Sequence, residues 1–562
     1  MKKELVKFRF GFLLLLIIFS VGRLFAQPGN MKTGTMPVEK LHLISDRDVY
    51  CVDEVIHLKL INRANDQGSN IDWSNVAYCE IITPDGRSVC KEKLMFVAHG
   101  ASGDLIIPHD ILSGNYYLCG YTRWMRNQSP YSYAYKPVKI INPFTTGLNP
   151  NVAGSEKSVR FSSFRNEINK CISIDKPDSV FSRNSDIQIR LRTTCDVGLQ
   201  DQLSVSVVRK GTHHSLTFHA DDDAQPIKAI CYIPETRGVS LSGKVINRAD
   251  SLPVPYARVW MTLFTTNPLT RQTYTDSIGN FYFDLGVECG QYDLYIQATS
   301  NKEGVVPIVL VDNDFSGQKI TLPYIPFEIN DEDRKLYEDV IINSQLQNIF
   351  HQYSSTPDSL KISFDHLFYG KPDFVLKFDQ FIELPSVKDY VSELMPNIRL
   401  KKIDSKNYLK IYSTNPDMAY YEPLVMVDLV KFDDAESILK LSPKQIDRVE
   451  VVKVPYLKGD NIYGGIIHFI TKTFDFSTIS FPEGGIMLDY DLIGKSVGFP
   501  EYCKSAPIVG NCLYWEPSFR VDAEGSVIHF NTGSECGEYD IVIEGLDKDN
   551  TPFEVIDSFV VR

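Results

Sequence analysis

Three histidines and three aspartates lie close together between positions 213 and 223, and their side chains could coordinate a metal ion. The group consists of His213, His214, His219 and the run Asp221–Asp223. Imidazole and carboxylate groups are both common metal ligands. Adjacent histidines rarely bind one ion together, however, and three consecutive aspartates lack the alternating spacing of a calcium-binding loop. We therefore expect a solvated loop and no metal site, with a metal-binding loop as the alternative.

The sequence shows none of the common signatures of catalytic or cofactor-binding sites. We find no HExxH motif of zinc proteases, no GxSxG nucleophile motif and no phosphate-binding P-loop. The eleven cysteines include no CxxC pair and no cysteine–histidine spacing that is typical of zinc sites. We therefore predict a non-enzymatic protein with no catalytic residue and no cofactor.

The first 26 residues have the composition of a secretory signal peptide. Basic residues precede a nearly continuous apolar run, Phe10–Gly22, which is too short to span a membrane. We expect cleavage after Ala26 and no transmembrane span in the mature chain. The formal charge of the chain is -13, and removal of five basic residues and one acidic residue makes it more negative still. This charge argues against nucleic acid or anionic lipid as a partner.

Repeated segments indicate several β-sandwich units along the 562 residues. The pattern that starts at Val49-Tyr50 recurs without a gap at Val180-Phe181, and in both copies an alternating strand follows. A Gly-x-Tyr motif occurs at Gly114–Tyr116, Gly290–Tyr292 and Gly537–Tyr539. We expect the glycine to allow a turn and the tyrosine to start a late strand with its ring inward. The predicted fold class is mainly β, with serial β-sandwich domains and one α+β domain.

Two of these units resemble the macroglobulin-like (Ig-like) domains of alpha-2-macroglobulin-type proteins. Residues 37–143 carry the segment Ser45–Glu54 and the late strand Leu112–Met125, and residues 171–235 carry the late strand Leu203–Val208. No thioester sequence of the CGEQ kind is present, so the resemblance does not imply the reactive chemistry of that family. We expect residues 500–562 to form a further sandwich-like unit at the C-terminus.

Residues 238–325 resemble the carboxypeptidase regulatory-like sandwich. The segment Ser242–Val259 precedes Thr275–Phe283, and the two lie at the separation that this family shows. Asp276-x-x-Gly279-Asn280 is typical of a hairpin turn, and Phe281 and Phe283 point to one face of the next strand. The resemblance implies an accessory domain that carries no catalytic residue.

Residues 330–480 are expected to form a helix, after the acidic cap at positions 331–333, and then a domain that resembles the plug of TonB-dependent outer-membrane receptors. The residues that carry the resemblance are Leu424, Asp428, Leu439, Pro443, Gly459, Gly464 and Gly465. We interpret them as structural. Receptor plugs commonly have Asp-Gly where this chain has Asp428-Leu429, which puts the same tight turn in doubt.

These resemblances predict an exported binding or assembly protein of the Gram-negative outer-membrane region. A receptor barrel of 22 strands needs over about 200 residues, and about 90 follow Lys472, so we expect a plug-like domain without its own barrel. The expected partner is an envelope or outer-membrane protein, and the expected location is the periplasm or the outer membrane. One alternative is an accessory of TonB-dependent transport that acts with a barrel on another chain. An envelope hydrolase is the second alternative, and the missing nucleophile–base signature argues against it.

Overall fold

The computed structural model of the protein describes fifteen stretches of the chain, and the proposed signal peptide at 1–26 lies outside them. The described residues are 38–63, 73–98, 100–149, 160–162, 172–193, 203–215, 217–219, 230–350, 367–403, 406–413, 415–474, 481–499, 507–521, 524–547 and 550–562.

The first sandwich consists of eight strands near the N-terminus. Strands β1–β8 are Leu41–Ser45, Val49–Cys51, Val55–Asn62, Val76–Ile82, Ser88–Met95, Gly100–Ile106, Gly114–Thr122 and Ala134–Ile141. They form one sheet in the order β1-β3-β6 and a second in the order β2-β8-β7-β4-β5. The alternating apolar residues Ile56, Leu58 and Leu60 of β3 all belong to the core cluster of this sandwich, because successive side chains of a strand point to opposite faces.

Twelve further strands and one long helix follow. Strands β9–β14 are Arg160–Ser162, Ile172–Asp175, Val180–Phe181, Asp186–Thr193, Leu203–Arg209 and Thr217–His219. Strands β15–β20 are Val239–Asn247, Arg258–Leu263, Leu269–Tyr274, Asn280–Gly286, Gln291–Thr299 and Pro307–Val311. Helix α1, Asp331–Phe350, starts at the predicted acidic cap, and its Tyr337 and Val340 pack on the first sandwich.

An α+β domain comes next, and five strands complete the chain. Strands β21–β29 are Phe374–Lys377, Ile398–Ile403, Lys406–Ile411, Leu424–Val427, Val430–Lys431, Ile446–Val452, Tyr456–Lys458, Asn461–Tyr463 and Ile466–Thr471. Helices α2 and α3 are Val387–Leu394 and Ala435–Leu439, and their N-caps are Ser386 and Asp434. Strands β30–β34 are Gly485–Asp491, Cys512–Phe519, Ser526–Asn531, Gly537–Leu546 and Pro552–Val561. The central sheet has the order β21-β26-β29-β24-β25.

The second sandwich repeats the strand order of the first. Its sheets are β10-β12-β32 and β11-β34-β33-β13-β31, which match the first sandwich strand for strand. The repeated sequence pattern has a structural counterpart, since Val49–Cys51 and Val180–Phe181 each pair in parallel with the last strand of their own sandwich. The described residues therefore contain two copies of one eight-stranded topology, and the second copy is interrupted between its fourth and fifth strands.

This interruption corrects the predicted division into units 171–235 and 500–562. Strand β12 pairs with β32, and β13 pairs with both β31 and β33. The two segments share sheets and a single hydrophobic core, so neither is a separate sandwich. The sequence suggested two units because the pairing partners are separated by the whole of residues 210–511.

The inserted sandwich lies within that interruption and also extends beyond its predicted limits. Its sheets are β18-β15-β20 and β17-β16-β19-β30. Strand β30 follows the α+β domain in sequence, yet it pairs with β19 from Gln291↔Asp491 to Gln297↔Gly485. The unit predicted at 238–325 therefore lacks one edge strand, and the α+β domain is itself an insertion between β20 and β30.

Continuous apolar packing joins these domains. One core cluster includes residues of both the first and the inserted sandwich, and another joins Trp260 and Tyr295 of the inserted sandwich to the α+β domain. Among the described residues, none of the helices combines the length and the apolar composition that a membrane crossing requires.

Candidate functional site

A tight hairpin between β24 and β25 lies at the centre of the α+β domain. Val427 pairs with Val430, so Asp428 and Leu429 form a two-residue loop. Their φ angles are +47° and +68°, as a type I′ turn requires. Leu429 pays a steric cost in this left-handed conformation, and yet the turn forms. The doubt that the sequence raised about a tight turn at Asp428-Leu429 was therefore wrong.

The side chain of Asp428 holds the hairpin to the neighbouring strand. The residue is fully buried. Its Oδ1 accepts a hydrogen bond of 2.8 Å from the backbone N–H of Thr471, and its Oδ2 accepts one of 2.5 Å from the Thr471 hydroxyl. The carboxylate therefore faces the interior of the domain, where it ties β24 to the end of β29.

The backbone of Leu429 connects the hairpin to the inserted sandwich. Its N–H donates to Nε2 of His468 at 3.0 Å. Its carbonyl oxygen accepts hydrogen bonds from the Thr262 hydroxyl at 2.9 Å and from the Trp260 indole N–H at 3.3 Å. Because both polar groups of Leu429 are satisfied, the strained turn is stabilised by two domains at once.

A chain of buried hydrogen bonds continues from His468. Its Nε2 accepts from Leu429, so we assign the proton to Nδ1, which lies 2.6 Å from the Tyr369 hydroxyl. That hydroxyl donates to Glu450 at 2.8 Å, and Glu450 accepts from Arg448 at 2.7 Å. Burial lowers the pKa of His468 to about 3, with a further contribution from Arg448. The imidazole is therefore neutral at physiological pH, and the network is structural in character.

We expect the substitution Asp428→Ala to destabilise the α+β domain by about 2–4 kcal/mol. It leaves the buried N–H of Thr471 without an acceptor, and it places a Cβ-bearing residue without local hydrogen bonding at positive φ. Asp428→Asn is the matched control, because asparagine tolerates this conformation and can still accept from Thr471. Denaturant unfolding followed by tryptophan fluorescence measures both. Equal stability of the two variants would contradict the bracing role.

The other motif residues predicted from the sequence occupy the same domain. Leu424 and Leu439 are buried, and Pro443 opens a short 3-10 turn. A Cβ on Gly464 would lie 2.4 Å from the carbonyl oxygen of Tyr421, and one on Gly465 would lie 2.3 Å from that of Val452. These two glycines therefore allow a close backbone approach at the start of β29. Gly459 lies at the tip of the hairpin that β27 and β28 form.

The β27–β28 hairpin is held on the inserted sandwich by hydrogen bonds to alternate side chains of β17. Lys458 donates to the hydroxyl of Thr270 at 2.6 Å, and Tyr463 donates to the side-chain oxygen of Gln272. The Tyr274 hydroxyl donates to Asn461 at 2.7 Å. Three polar contacts to alternate residues of β17 thus fix the orientation of the hairpin.

The opposite face of this hairpin is apolar and open to solvent. Leu457 and Ile462 are directly paired across the two strands, and they are 67% and 46% exposed. Val454, just before β27, is also exposed. We call Leu457 and Ile462 the apolar hairpin face.

The histidines that the sequence places in one solvated loop have different environments in the structure. The side chain of His213 is 1% exposed and contacts Glu544 and Glu554, so the expectation of a solvated loop is wrong at this residue. His214 is half-exposed beside Asp48. The backbone of His219 lies in β14, and Asp221–Asp223 lie outside the described residues.

The glutamate partners of His213 were missed by sequence reasoning. They lie 331 and 341 positions further along the chain, on β33 and β34. Burial opposes a charge on His213, but the hydrogen bond with Glu554 and the charges of Asp48 and Glu544 outweigh it and raise the pKa of the imidazole. The one available signal was that each glutamate lies inside a strand-like segment, Gly537–Leu546 or Pro552–Val561.

A cleft of about 160 Å³ lies next to this buried group. Asp48, Lys136 and His214 form part of its wall, together with Asn115 and Lys139. Burial works against the charge on Lys136, but Asp48 and Glu544 outweigh it and raise the pKa of the ammonium. The apolar residues Pro137, Val138, Ile325 and Pro326 complete the wall, so the cleft combines a mainly apolar lining with a few charged groups.

Comparisons with known proteins show similarity to solved structures. No protein-family model matches the chain, and no curated protein matches it. Salmonella alpha-2-macroglobulin reacted with methylamine is 8% identical, with a TM-score of 0.23, over 95% of this chain and 40% of that one. E. coli alpha-2-macroglobulin in its native conformation is 7% identical, with a TM-score of 0.23 and the same coverage.

A further solved structure matches a smaller part of the chain. Dimeric latent PorU from Porphyromonas gingivalis is 12% identical, with a TM-score of 0.15, over 49% of this chain and 34% of that one. The chain thus spans about 40% of the length of the macroglobulins that it matches. The assignment of serial β-sandwiches with one α+β domain rests on the sheets themselves.

Proposed function

We propose that this protein is an exported, non-enzymatic binding or assembly protein of the Gram-negative outer-membrane region, and that its α+β domain carries the binding surface. The observation that supports this is the apolar hairpin face. Exposed apolar residues occur singly on most proteins, whereas grouped ones mark interaction sites. Leu457 and Ile462 are neighbours across one hairpin, so together they form a small continuous apolar surface.

The rigidity of the hairpin strengthens this proposal. Its polar residues on the other face are already engaged with β17 through Lys458, Tyr463 and Asn461. An anchored surface loses little conformational freedom when a partner binds, which lowers the entropic cost of association. The partner that fits is a protein with an apolar contact surface, and an envelope or outer-membrane protein follows from the proposed export.

The alternative, a transport accessory whose plug-like domain acts inside a barrel on another chain, has less support. The Asp428-Leu429 hairpin and the buried Trp260 contact one another across the boundary with the inserted sandwich. A domain held by such contacts would have to separate from its neighbour before it entered a pore. Co-purification with a barrel protein would favour this alternative.

Crosslinking and affinity capture from intact envelopes test the proposal. We expect the native chain to capture a discrete envelope protein, and the double variant L457D/I462D to lose most of that capture. The variant Leu252→Asp is the matched control, since Leu252 is equally exposed but lies on the inserted sandwich. Retained capture by L457D/I462D, or equal loss in the control, would contradict the assignment of the binding surface.

A further inference from the structure

A buried group of ionisable side chains lies where the second sandwich contacts the first. His213 follows β13, and Glu544 and Glu554 lie on the adjacent strands β33 and β34, where they are direct cross-strand partners. The side chains of these three residues are 1%, 4% and 5% exposed. Two carboxylates directly opposite one another on neighbouring strands repel each other, so this position needs a compensating positive charge.

The ligand atoms of the three residues converge on one point. Nε2 of His213 lies 3.4 Å from Oε1 of Glu544 and 2.5 Å from Oε1 of Glu554, and one ligand atom from each residue lies within 4.8 Å of the others. Ligands of a tetrahedral zinc ion lie at about 2.0–2.2 Å from the metal and hence about 3.3 Å from each other. The separation of His213 and Glu544 meets this requirement, and Glu554 reaches it by moving less than about 1 Å.

The side chains around the group carry a net negative charge that a divalent cation would neutralise. The first sandwich contributes Asp48 and Lys136, whose Nζ lies 3.0 Å from Asp48 and 3.7 Å from Glu544. With neutral His213, three carboxylates and one ammonium carry a net charge of two negative units. A single divalent ion neutralises them, and buried charges that remain uncompensated are costly.

Two features of His213 and Ser215 point to coordination rather than to simple ion pairing. Nδ1 of His213 is buried and finds no hydrogen-bond acceptor among the described residues, although Asp48 lies 3.7 Å away. This places Asp48 where an outer carboxylate commonly orients a metal-bound imidazole. The Ser215 hydroxyl donates to Oε2 of Glu554, which leaves Oε1 of that carboxylate directed at His213.

We propose that His213, Glu544 and Glu554 form a binding site for one divalent transition-metal ion of the zinc class. One imidazole and two carboxylates suit zinc, whereas calcium and magnesium prefer ligand sets made entirely of oxygen. Because His213 belongs to the N-terminal segment of the second sandwich, and Glu544 and Glu554 to its C-terminal segment, the ion would connect these two segments. Asp48 and Lys136 extend this connection to the first sandwich.

Titration of the full chain with ZnCl₂ in a calorimeter tests the proposal. We expect one equivalent to bind and to raise the unfolding temperature, whereas MgCl₂ does neither. The variants His213→Gln and Glu544→Gln should each weaken zinc binding by at least about tenfold. The matched controls are His529→Gln and Glu538→Gln, which change exposed residues of the same sandwich and should leave zinc binding unchanged.

Cobalt binding separates coordination from folding defects. Four-coordinate Co²⁺ absorbs visible light, so the native chain and both controls should give a spectrum that His213→Gln and Glu544→Gln lose. Circular dichroism of the metal-free variants checks that they remain folded. Absence of zinc uptake by the native chain, or equal zinc affinity in His213→Gln and His529→Gln, would overturn the proposal and leave a proton-neutralised ion network in its place.

Discussion

The substitution Tyr539→Ala is expected to lower the free energy of unfolding of the second sandwich by about 3–5 kcal/mol, the range for removal of a buried aromatic ring. Tyr539 is 1% exposed and stacks on Phe559 at a centroid distance of 5.7 Å. It lies near the start of β33, which pairs with both β13 and β34. The lost ring therefore leaves a cavity where the two chain segments of this sandwich meet.

Differential scanning calorimetry of the full chain measures this effect, since the separate sandwiches need not unfold in one transition. Tyr420→Ala is the control, because Tyr420 is 81% exposed and its loss should change stability by less than about 0.5 kcal/mol. A Tyr539→Ala protein that unfolds like the control would show that the ring contributes little to the core.

The second sandwich is built from two chain segments that flank a long insertion. Residues 210–511 begin and end within it, so its unfolding releases both ends of the inserted part. We expect the inserted sandwich to keep its own transition in Tyr539→Ala, because its core lies in a different apolar cluster from that of Tyr539. The two transitions should therefore move apart in temperature.

Local features of the fold were predictable from the sequence. The alternation in Ile56–Leu60 and the run Leu424–Val427 both predict strands that the structure contains. The acidic residues before Leu336 predict the start of α1. In each case the signal lies within a few residues, because turn chemistry and side-chain periodicity act over that distance.

Long-range pairings escaped the sequence analysis. Nothing near Val205 indicates that Trp515 and Ile543 are on neighbouring strands, and nothing near Leu294 indicates that Leu488 lies beside it. The repeat that starts at Val180 indicates a second copy of the first sandwich. The last four strands of that copy follow the insertion of residues 210–511. The alternation of side chains along a strand indicates which face is buried, but it does not indicate which strand lies beside it.

The same limitation applies to the candidate sites. His213 was recognised as a possible ligand, but the fold replaces its sequence neighbours with Glu544 and Glu554 as partners. Asp428 was recognised as a turn residue, but Leu429 at positive φ breaks the local rule for such turns. The compensation comes from His468 and Thr262, which belong to other parts of the chain.

Trp260→Ala should destabilise the contact between the inserted sandwich and the α+β domain by about 3–5 kcal/mol. Trp260 is 1% exposed and belongs to the core cluster of the α+β domain although it lies on β16. Its indole N–H also donates to the carbonyl oxygen of Leu429. Removal of the ring leaves a cavity beneath the strained hairpin, so we expect faster proteolysis of the α+β domain as well as a lower unfolding temperature.

Trp260→Phe distinguishes packing from hydrogen bonding at this contact. Phenylalanine retains much of the buried ring but cannot donate, and the Thr262 hydroxyl still satisfies the Leu429 carbonyl at 2.9 Å. We therefore expect a loss of only about 0.5–1.5 kcal/mol, the net value of one hydrogen bond. If Trp260→Phe were as damaging as Trp260→Ala, the indole N–H rather than the ring would join the two domains. If neither substitution changed the proteolysis of the α+β domain, that domain would be held in place by the β27–β28 hairpin and its contacts with β17.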